Sequence, residues 1–287
     1  MEMEEKMFKK DNQEVYVPDG TNPEEALSRT THLAIAAHQD DIEIMAIDGI
    51  LQGLKNPEFY FSGCVITDGH GSPRAGKFGH VSDDDMAQIR IEEQKAAARL
   101  GHYSAQVFLG YTSAKVKDPS DLALVDDLTT LLKATQPEIL YTHNPADKHT
   151  THVAVFLRVI EALRRLPKEI RPKKIYGCEV WRNLDWLPDE IKTVFDVSAE
   201  PELQAALIDV FESQVEGGKN YTEAIVGRRI ANSTFFASHV TDNATRLAYA
   251  LDLTPLIEDD SLDVITWVQG IISEFNAVVT DSLKTFN

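Results

Sequence analysis

Residues 38–41 read His-Gln-Asp-Asp, an imidazole and two carboxylates within four positions. Adjacent carboxylates repel each other unless a proton or a cation relieves them. At i, i+3 spacing on a turn into a helix, His38 and Asp41 can point at one ion, with Asp40 held between them without having to bind it. The structural alternative is capping, since Asp is a good helix N-cap and a helix-length segment starts at Ile42. Glu43, in the first turn, reads as stabilising the helix dipole. A second cluster follows at 143–152, where His143, Asp147, His149 and His152 fall within ten residues of a chain that has nine His in all. His149 and His152 are three apart at a helix start, so they can face the same point. Two His and one Asp suit Zn²⁺, and three protein ligands leave the open position that catalysis needs. These residues point to metal-assisted hydrolysis.

Both clusters must be positioned by strands. The run Leu33 to Ala37 suits a buried strand and leads into a helix over Ile42 to Leu54. Tyr60 to Thr67 is the next strand, ending at the turn signal Asp68-Gly69. Ile89, Ala96, Ala97 and Leu100 share one helix face, which Gly101 ends. Val107 to Leu109 is a short strand, and Leu122, Val125, Leu128 and Leu132 have helical spacing. Ile139 to Tyr141 is a strand followed by the helix carrying Phe156, Val159, Ile160 and Leu163. This alternation predicts a Rossmann-like α/β fold, with a mainly parallel sheet, helices on both faces and added C-terminal strands and helices. Lys174 to Trp181 and Thr193 to Val197 read as those strands, followed by a long helix through Leu203, Leu207 and Phe211. In open α/β sheets ligands bind outside the carboxyl ends of the strands, and both clusters fall there, as does Thr67 to His70.

With 287 residues and roughly 100–200 residues per domain, one large domain is expected. Residues 1–30, with Pro18, Gly20 and Pro23, read as a polar N-terminal arm of loop. Residues 31–287 read as a single domain, with a catalytic core at about 31–165. A mostly helical C-terminal extension, about 241–287, is expected to pack on the sheet. Hydrophobic residues at 43% and charged residues at 26% are ordinary globular composition. The formal charge of -18 speaks against nucleic acid as a partner and against an anionic membrane surface. Met1 to Gln13 carries no apolar signal segment, and no stretch is apolar enough to insert in a bilayer. Cys64 and Cys178, each in an apolar stretch, read as buried reduced thiols. A cytoplasmic location is the expectation.

The motifs also carry a resemblance. Ala37-His38-Gln39-Asp40-Asp41-Ile42-Glu43 resembles the AHPDDxE signature of the PIG-L (LmbE-like) zinc-dependent N-deacetylases. His143 to His152 is similar to that family's second motif, of the type HxPxDxHxDH. Thr67-Asp68-Gly69-His70-Gly71-Ser72-Pro73-Arg74 resembles its TxGxxGxxR loop. Arg90-Ile91-Glu92-Glu93-Gln94, with Ala97 to Gly101, resembles its RxxE…AAxxLG helix. The likeness runs from about 31 to 165, with fainter echoes at Glu179-Val180-Trp181 and Ser213-Gln214.

The resemblance implies His38, Asp41 and His152 as zinc ligands and Asp40 as the general base. It implies His149 as the imidazole that protonates the leaving amine or stabilises the oxyanion, and Arg74 as a substrate contact. It further implies an N-acetylated amino sugar as the small-molecule substrate, of the N-acetylglucosamine glycoside or conjugate type, and a homo-oligomer. Two positions depart from the pattern. Gln39 replaces a Pro, so the turn loses a fixed φ, and Thr150-Thr151 stands where Pro-Asp is usual. That Asp is expected to pair with the catalytic His, a role open here to Asp147. His143 reads as support behind the site or as packing, and His70 and His80 as packing or substrate contacts. Trp181 and Trp186 could line a sugar-binding wall, with a core role the preferred reading. The other readings are a metal-dependent hydrolase of another amide or of a phosphate ester, and a non-catalytic zinc- or sugar-binding protein.

Overall fold

A computed structural model describes residues 7–8 and 12–287 of the chain. Its frame is an eight-stranded sheet. The parallel centre comprises β2 (His32–Ala36), β3 (Phe61–Thr67), β4 (Ala105–Tyr111), β5 (Ile139–His143) and β6 (Lys174–Cys178). Three further strands, β1 (Glu14–Tyr16), β7 (Lys192–Asp196) and β8 (Leu247–Asp252), join antiparallel, giving the order β1-β4-β3-β2-β5-β6-β8-β7. Covered on both faces, β2 and β3 are buried along their whole length and read as apolar runs. Leu33 and Ile35 enter one core layer, while Ala34 and Ala36 enter the other.

The helices between strands are α2 (Asp41–Met45), α3 (Ile47–Lys55), α4 (Asp83–Leu100), α5 (Ser113–Lys117), α6 (Ala123–Thr135) and α7 (Thr150–Arg164). Among them, α6 and α7 pack on the Leu33 layer, and α2 and α3 pack on the Ala34 layer. At Gly63 of β3 an added Cβ would lie 2.8 Å from Ile42 Cδ1, so α2 sits directly on a bare backbone. Ser82 caps α4, accepting the Asp85 N–H, and three acidic residues fill its first turn.

The mainly parallel α/β architecture is as expected, with local differences. The single helix read from Ile42 to Leu54 breaks at Ala46 into α2 and α3. Within the stretch read as a loop arm lie α1 (Pro23–Ser28) and β1, which extends the sheet beside β4. The helix through Leu203 stops at Asp209 as α8 (Pro201–Asp209), followed by α9 (Glu212–Val215) and α10 (Tyr221–Phe235). The tail contributes more than α11 (Pro255–Glu258) and α12 (Val264–Phe286): its strand β8 is wedged between β6 and β7. Alternation of Leu247, Tyr249 and Leu251 with Ala248 and Ala250 carries that strand, with both sets buried. Both Cys are buried and unpaired, as expected. No helix among the described residues is long and apolar enough to cross a membrane.

Candidate metal centre and active-site cavity

Because β2 and β5 are parallel neighbours, the segments leaving their carboxyl ends emerge side by side, at the point where the connections from β2 diverge. His38 follows β2 and His152 lies in the first turn of the helix after β5, so residues 114 apart in sequence meet. His38 Nδ1 lies 3.1 Å from Asp41 Oδ2 and 3.1 Å from His152 Nε2, and His152 Nε2 lies 3.2 Å from Asp41 Oδ2. These three atoms form a nearly equilateral triangle. Donors bound tetrahedrally at about 2.0–2.1 Å lie roughly 3.3–3.4 Å apart, so the triangle has the size a Zn²⁺ ion needs. Two overlapping sets, His38-His149-His152 and Asp41-His143-His152, also hold their ligand atoms within 4.8 Å of one another.

The charges fit a cation too. Burial opposes a charge on Asp41, yet His152 and His38 pull its carboxyl well below the usual carboxylate range. Burial likewise opposes a charged His152, yet Asp41 and Asp147 on its two sides push it up to about 9. A proton on His152 thus does the neutralising work that a metal would do. His143, buried and beside His152, is held well below its usual value and stays neutral. Its Nε2 accepts the Ala37 N–H at 2.8 Å, and its ring stacks on His152 with centroids 3.9 Å apart.

Capping does not account for the carboxylates. Asp40 makes no side-chain cap bond to α2, and its φ of 89° is unusual for a residue with a side chain. Three contacts hold this turn. The guanidinium of Arg90 donates to Gln39 O and, at 3.0 Å, to Asp40 Oδ2, and Gln94 Oε1 accepts the Asp40 N–H at 3.3 Å. Arg90 and Gln94 are four apart on α4 and so share a face. Burial and the nearby Asp41 raise Asp40 to about 7 despite Arg90. Asp41 Oδ2 turns back to accept the His38 N–H at 2.8 Å, tying the two candidate ligands of one turn together.

Asp147 does not take the place left by the absent acid at 151. Its Oδ1 lies 3.5 Å from His152 Nδ1 and accepts the backbone N–H of His149, while Oδ2 accepts the Trp181 N–H. It therefore orients His152 and the start of α7, and the His149 ring has no carboxylate on Nδ1, which is buried without a partner. Burial and the flanking His38 and His152 lower His149 to about 4.

A cavity of about 310 Å³ opens onto this centre. Its wall includes Asp40, His149, Thr151, Arg90, Trp181 and Tyr221. Trp181 was expected in the core; it is a cavity wall, edge-on to Tyr221. Trp186 does pack against the core. Arg74, His70 and His80 are not brought to the wall. Arg74 is bound to Asp83 at 2.6 Å, and His70 bridges Asp68 and Asp84. Glu43 is no surface dipole partner: it is buried, accepts Gln94 Nε2 and Tyr103 OH at 2.7 Å each, and burial raises it to about 8. Sequence reasoning gave Arg90 and Gln94 no role; their shared helix face was the available signal. Tyr221 gave none.

No curated protein sequence matches the chain. Three solved structures resemble it in fold. The 4-carboxy-2-hydroxymuconate hydratase GalB of Pseudomonas putida KT2440 has a TM-score of 0.62 at 18% identity, covering 78% of this chain and 96% of that one. The N,N'-diacetylchitobiose deacetylase of Pyrococcus horikoshii scores 0.63 at 18% identity, covering 80% and 86%. The A40926 pseudoaglycone deacetylase Dbv21 scores 0.58 at 14% identity, covering 78% and 97%. At such identities the likeness is one of fold. In sequence, the match is to the PIG-L family, described as GlcNAc-PI de-N-acetylase, over the strands and helices that carry both motifs. Residues 33–163 of this chain thus match the PIG-L family model.

Proposed function

We propose that the chain is a metal-dependent deacetylase that removes the N-acetyl group from an N-acetylated amino sugar of the N-acetylglucosamine type. The observation that carries this reading is the 3.1–3.2 Å triangle of His38, Asp41 and His152, with Asp40 and His149 beside it on the cavity wall. His38, Asp41 and His152 would hold a divalent ion, Zn²⁺ by the donor set. When bound, the ion supplies Lewis-acid polarisation of the acyl carbonyl and lowers the pKa of a water toward 7.

The chain's own residues do the rest. Arg90 holds Asp40 Oδ2, leaving Oδ1 to take a proton from the attacking water. With Asp40 near 7, that proton can be returned to the leaving nitrogen, since a base works best with a pKa near the working pH. His149, neutral near pH 7, donates a ring N–H to the oxygen on which negative charge develops. Trp181 and Tyr221 bound the sugar's side of the cavity.

A parallel screen of N-acetylated sugars tests this reading: N-acetylglucosaminides of malate and inositol, chitobiose and N-acetylgalactosamine derivatives, with zinc added and acetate and free amine quantified. Equal molar release of both from at least one substrate is expected. A zinc-loaded protein that releases neither, yet hydrates an unsaturated dicarboxylate as GalB's name describes, would replace this reading with a hydratase.

A further inference from the structure

Helix α12 leaves the body of the protein partway along its length. Its first two turns are anchored, with Val264, Trp267 and Ile271 packed on the core. From Ile272 onward no residue is buried; Phe275 still meets Trp186 edge-on, and the other apolar side chains lie open: Ile272 at 49%, Leu283 at 67% and Phe286 at 90% exposure. Residues 272–286 include Val278, Val279, Thr280 and Thr285, whose β-branched side chains disfavour isolated helix. A 15-residue helix of this composition does not stand alone in water. Something must cover it.

The pattern of the stripe says what. Ile272, Phe275, Val279, Leu283 and Phe286 fall at offsets of minus seven, minus four, zero, plus four and plus seven from Val279. At 3.6 residues per turn these lie within about 40° of one line along the helix. The charged residues of α12, Glu274, Asp281 and Lys284, lie on the opposite side. The stripe is thus symmetric about Val279, as a two-fold interface between identical surfaces requires. We propose that α12 pairs antiparallel with α12 of a second copy of this chain. Val279 packs on Val279, Phe275 on Leu283 and Ile272 on Phe286.

The area agrees. The exposed fractions of the five stripe residues amount to roughly 600 Å² per copy, about 1,200 Å² for the pair, the low end of a standard interface. A lipid surface fits less well. Membrane-surface helices are rich in Lys and Arg on their polar face, whereas this one carries two acids and one Lys on a chain of charge -18.

The test combines sedimentation equilibrium with cysteine cross-linking of the full chain. Wild type is expected to be a dimer. Val279→Glu and Leu283→Glu, at exposed positions where the monomer loses nothing, are expected to weaken it at least about a hundredfold by burying a charge. The Tm of the variants at low concentration, where all are monomers, should match wild type. Under mild oxidation Val279→Cys should form a disulfide-linked dimer. Val268→Cys should not, because the two copies of that residue would lie about 33 Å apart along the pair. Cross-linking of both would mean a parallel pair and overturn the register. A monomeric wild type would overturn the pairing itself. So would a wild type that stays monomeric in buffer and gathers on phosphatidylcholine–phosphatidylglycerol vesicles.

Discussion

Asp41 and Glu43 are two residues apart on α2, equally buried, and titrate in opposite directions. Asp41 faces His38 and His152, groups that can carry positive charge, and its carboxyl sits well below the usual range. Glu43 faces a tyrosine hydroxyl and a glutamine amide, and burial leaves it near 8, protonated at neutral pH. Burial disfavours both charges alike; the partners decide. One short helix therefore presents an anionic side to the cavity and a neutral side to α4. The neutral side is itself anchored, because the buried Arg229 of α10 donates to Glu43 O and Ile44 O at 2.9 and 3.1 Å. What a carboxylate does here follows from which face of the helix it occupies.

The anionic side is where a substitution should have its largest effect. His152→Ala removes one of three protein donors and leaves Asp41 without the imidazole that does most to stabilise its charge. Near-complete loss of bound zinc and of activity is expected, with chelation reproducing the loss in wild type and added metal reversing it there. Full zinc occupancy of purified His152→Ala by elemental analysis would break the assignment. Asp40→Asn comes next. It should retain zinc while losing at least about a hundredfold in kcat, the lower scale for general acid–base catalysis. If Asp40→Asn released the metal while Asp41→Asn kept it, the two roles would be exchanged. In wild type, the acid limb of kcat/KM should fall at or below pH 7, because Asp40 must lose its proton to act and a cation nearby would only lower its pKa.

Much of this was legible in the sequence, for physical reasons. Strand-end residues of parallel neighbours must converge, so the meeting of His38, Asp41 and His152 follows once β2 and β5 are recognised as adjacent strands. The alternation of short apolar runs with amphipathic helices carried the sheet through residue 165. Beyond that the reading failed at β8, because Leu247 to Asp252 lies between loop and helix and pairs only with strands distant in sequence. Arg74 lies off the cavity wall for another reason. A loop motif fixes the order of residues but not the direction of a long side chain, and Asp83 at the start of α4 captured it. Arg90 was visible as a motif letter and invisible as a partner of Asp40, since that ion pair joins segments 50 residues apart. Glu43 was misread because propensity rules see the first helical turn and not the Tyr103 and Gln94 that close over it.

The neutral side should respond in stability and little in rate. The folded pKa of Glu43, about 8, lies above its ordinary value of 4.5, so the folded state holds a proton that the unfolded chain releases. Its contribution is fully present below about pH 4.5 and is lost as pH rises through about 8. Glu43→Gln, permanently neutral, should remove that part of the slope, so the Tm difference between variant and wild type moves in the variant's favour from pH 5 to pH 8.5. Activity should change by no more than about threefold, because no reacting atom touches Glu43. A hundredfold fall in kcat with zinc retained would show that the two faces of α2 are not separable.

The smallest effect concerns Thr151, whose side chain sits at the cavity where the motif that this segment resembles has a carboxylate. With no acid on its ring, His149 is held near 4 by burial and by His38 and His152. At neutral pH it is a neutral hydrogen-bond donor and not a proton source. An aspartate at 151, in the first turn of α7, would favour the imidazolium and raise that pKa by about one unit, the low end of what a neighbouring opposite charge does. The sign is upward, so a His149 ring-proton NMR titration of the zinc-loaded Thr151→Asp variant should have a higher midpoint than in wild type. The gain in rate at pH 7 should be slight, because a pKa near 5 still leaves His149 mostly neutral. His149→Ala identifies the resonance and should lower kcat by about a hundredfold in both backgrounds, the scale of one lost oxyanion donor. If the His149 midpoint in Thr151→Asp stays where it is with zinc fully bound, Asp147 or the metal governs that ring and residue 151 does not. A fall in zinc content instead would mean that the new carboxylate has joined the ligand triangle, carrying the anionic face of α2 one helix further.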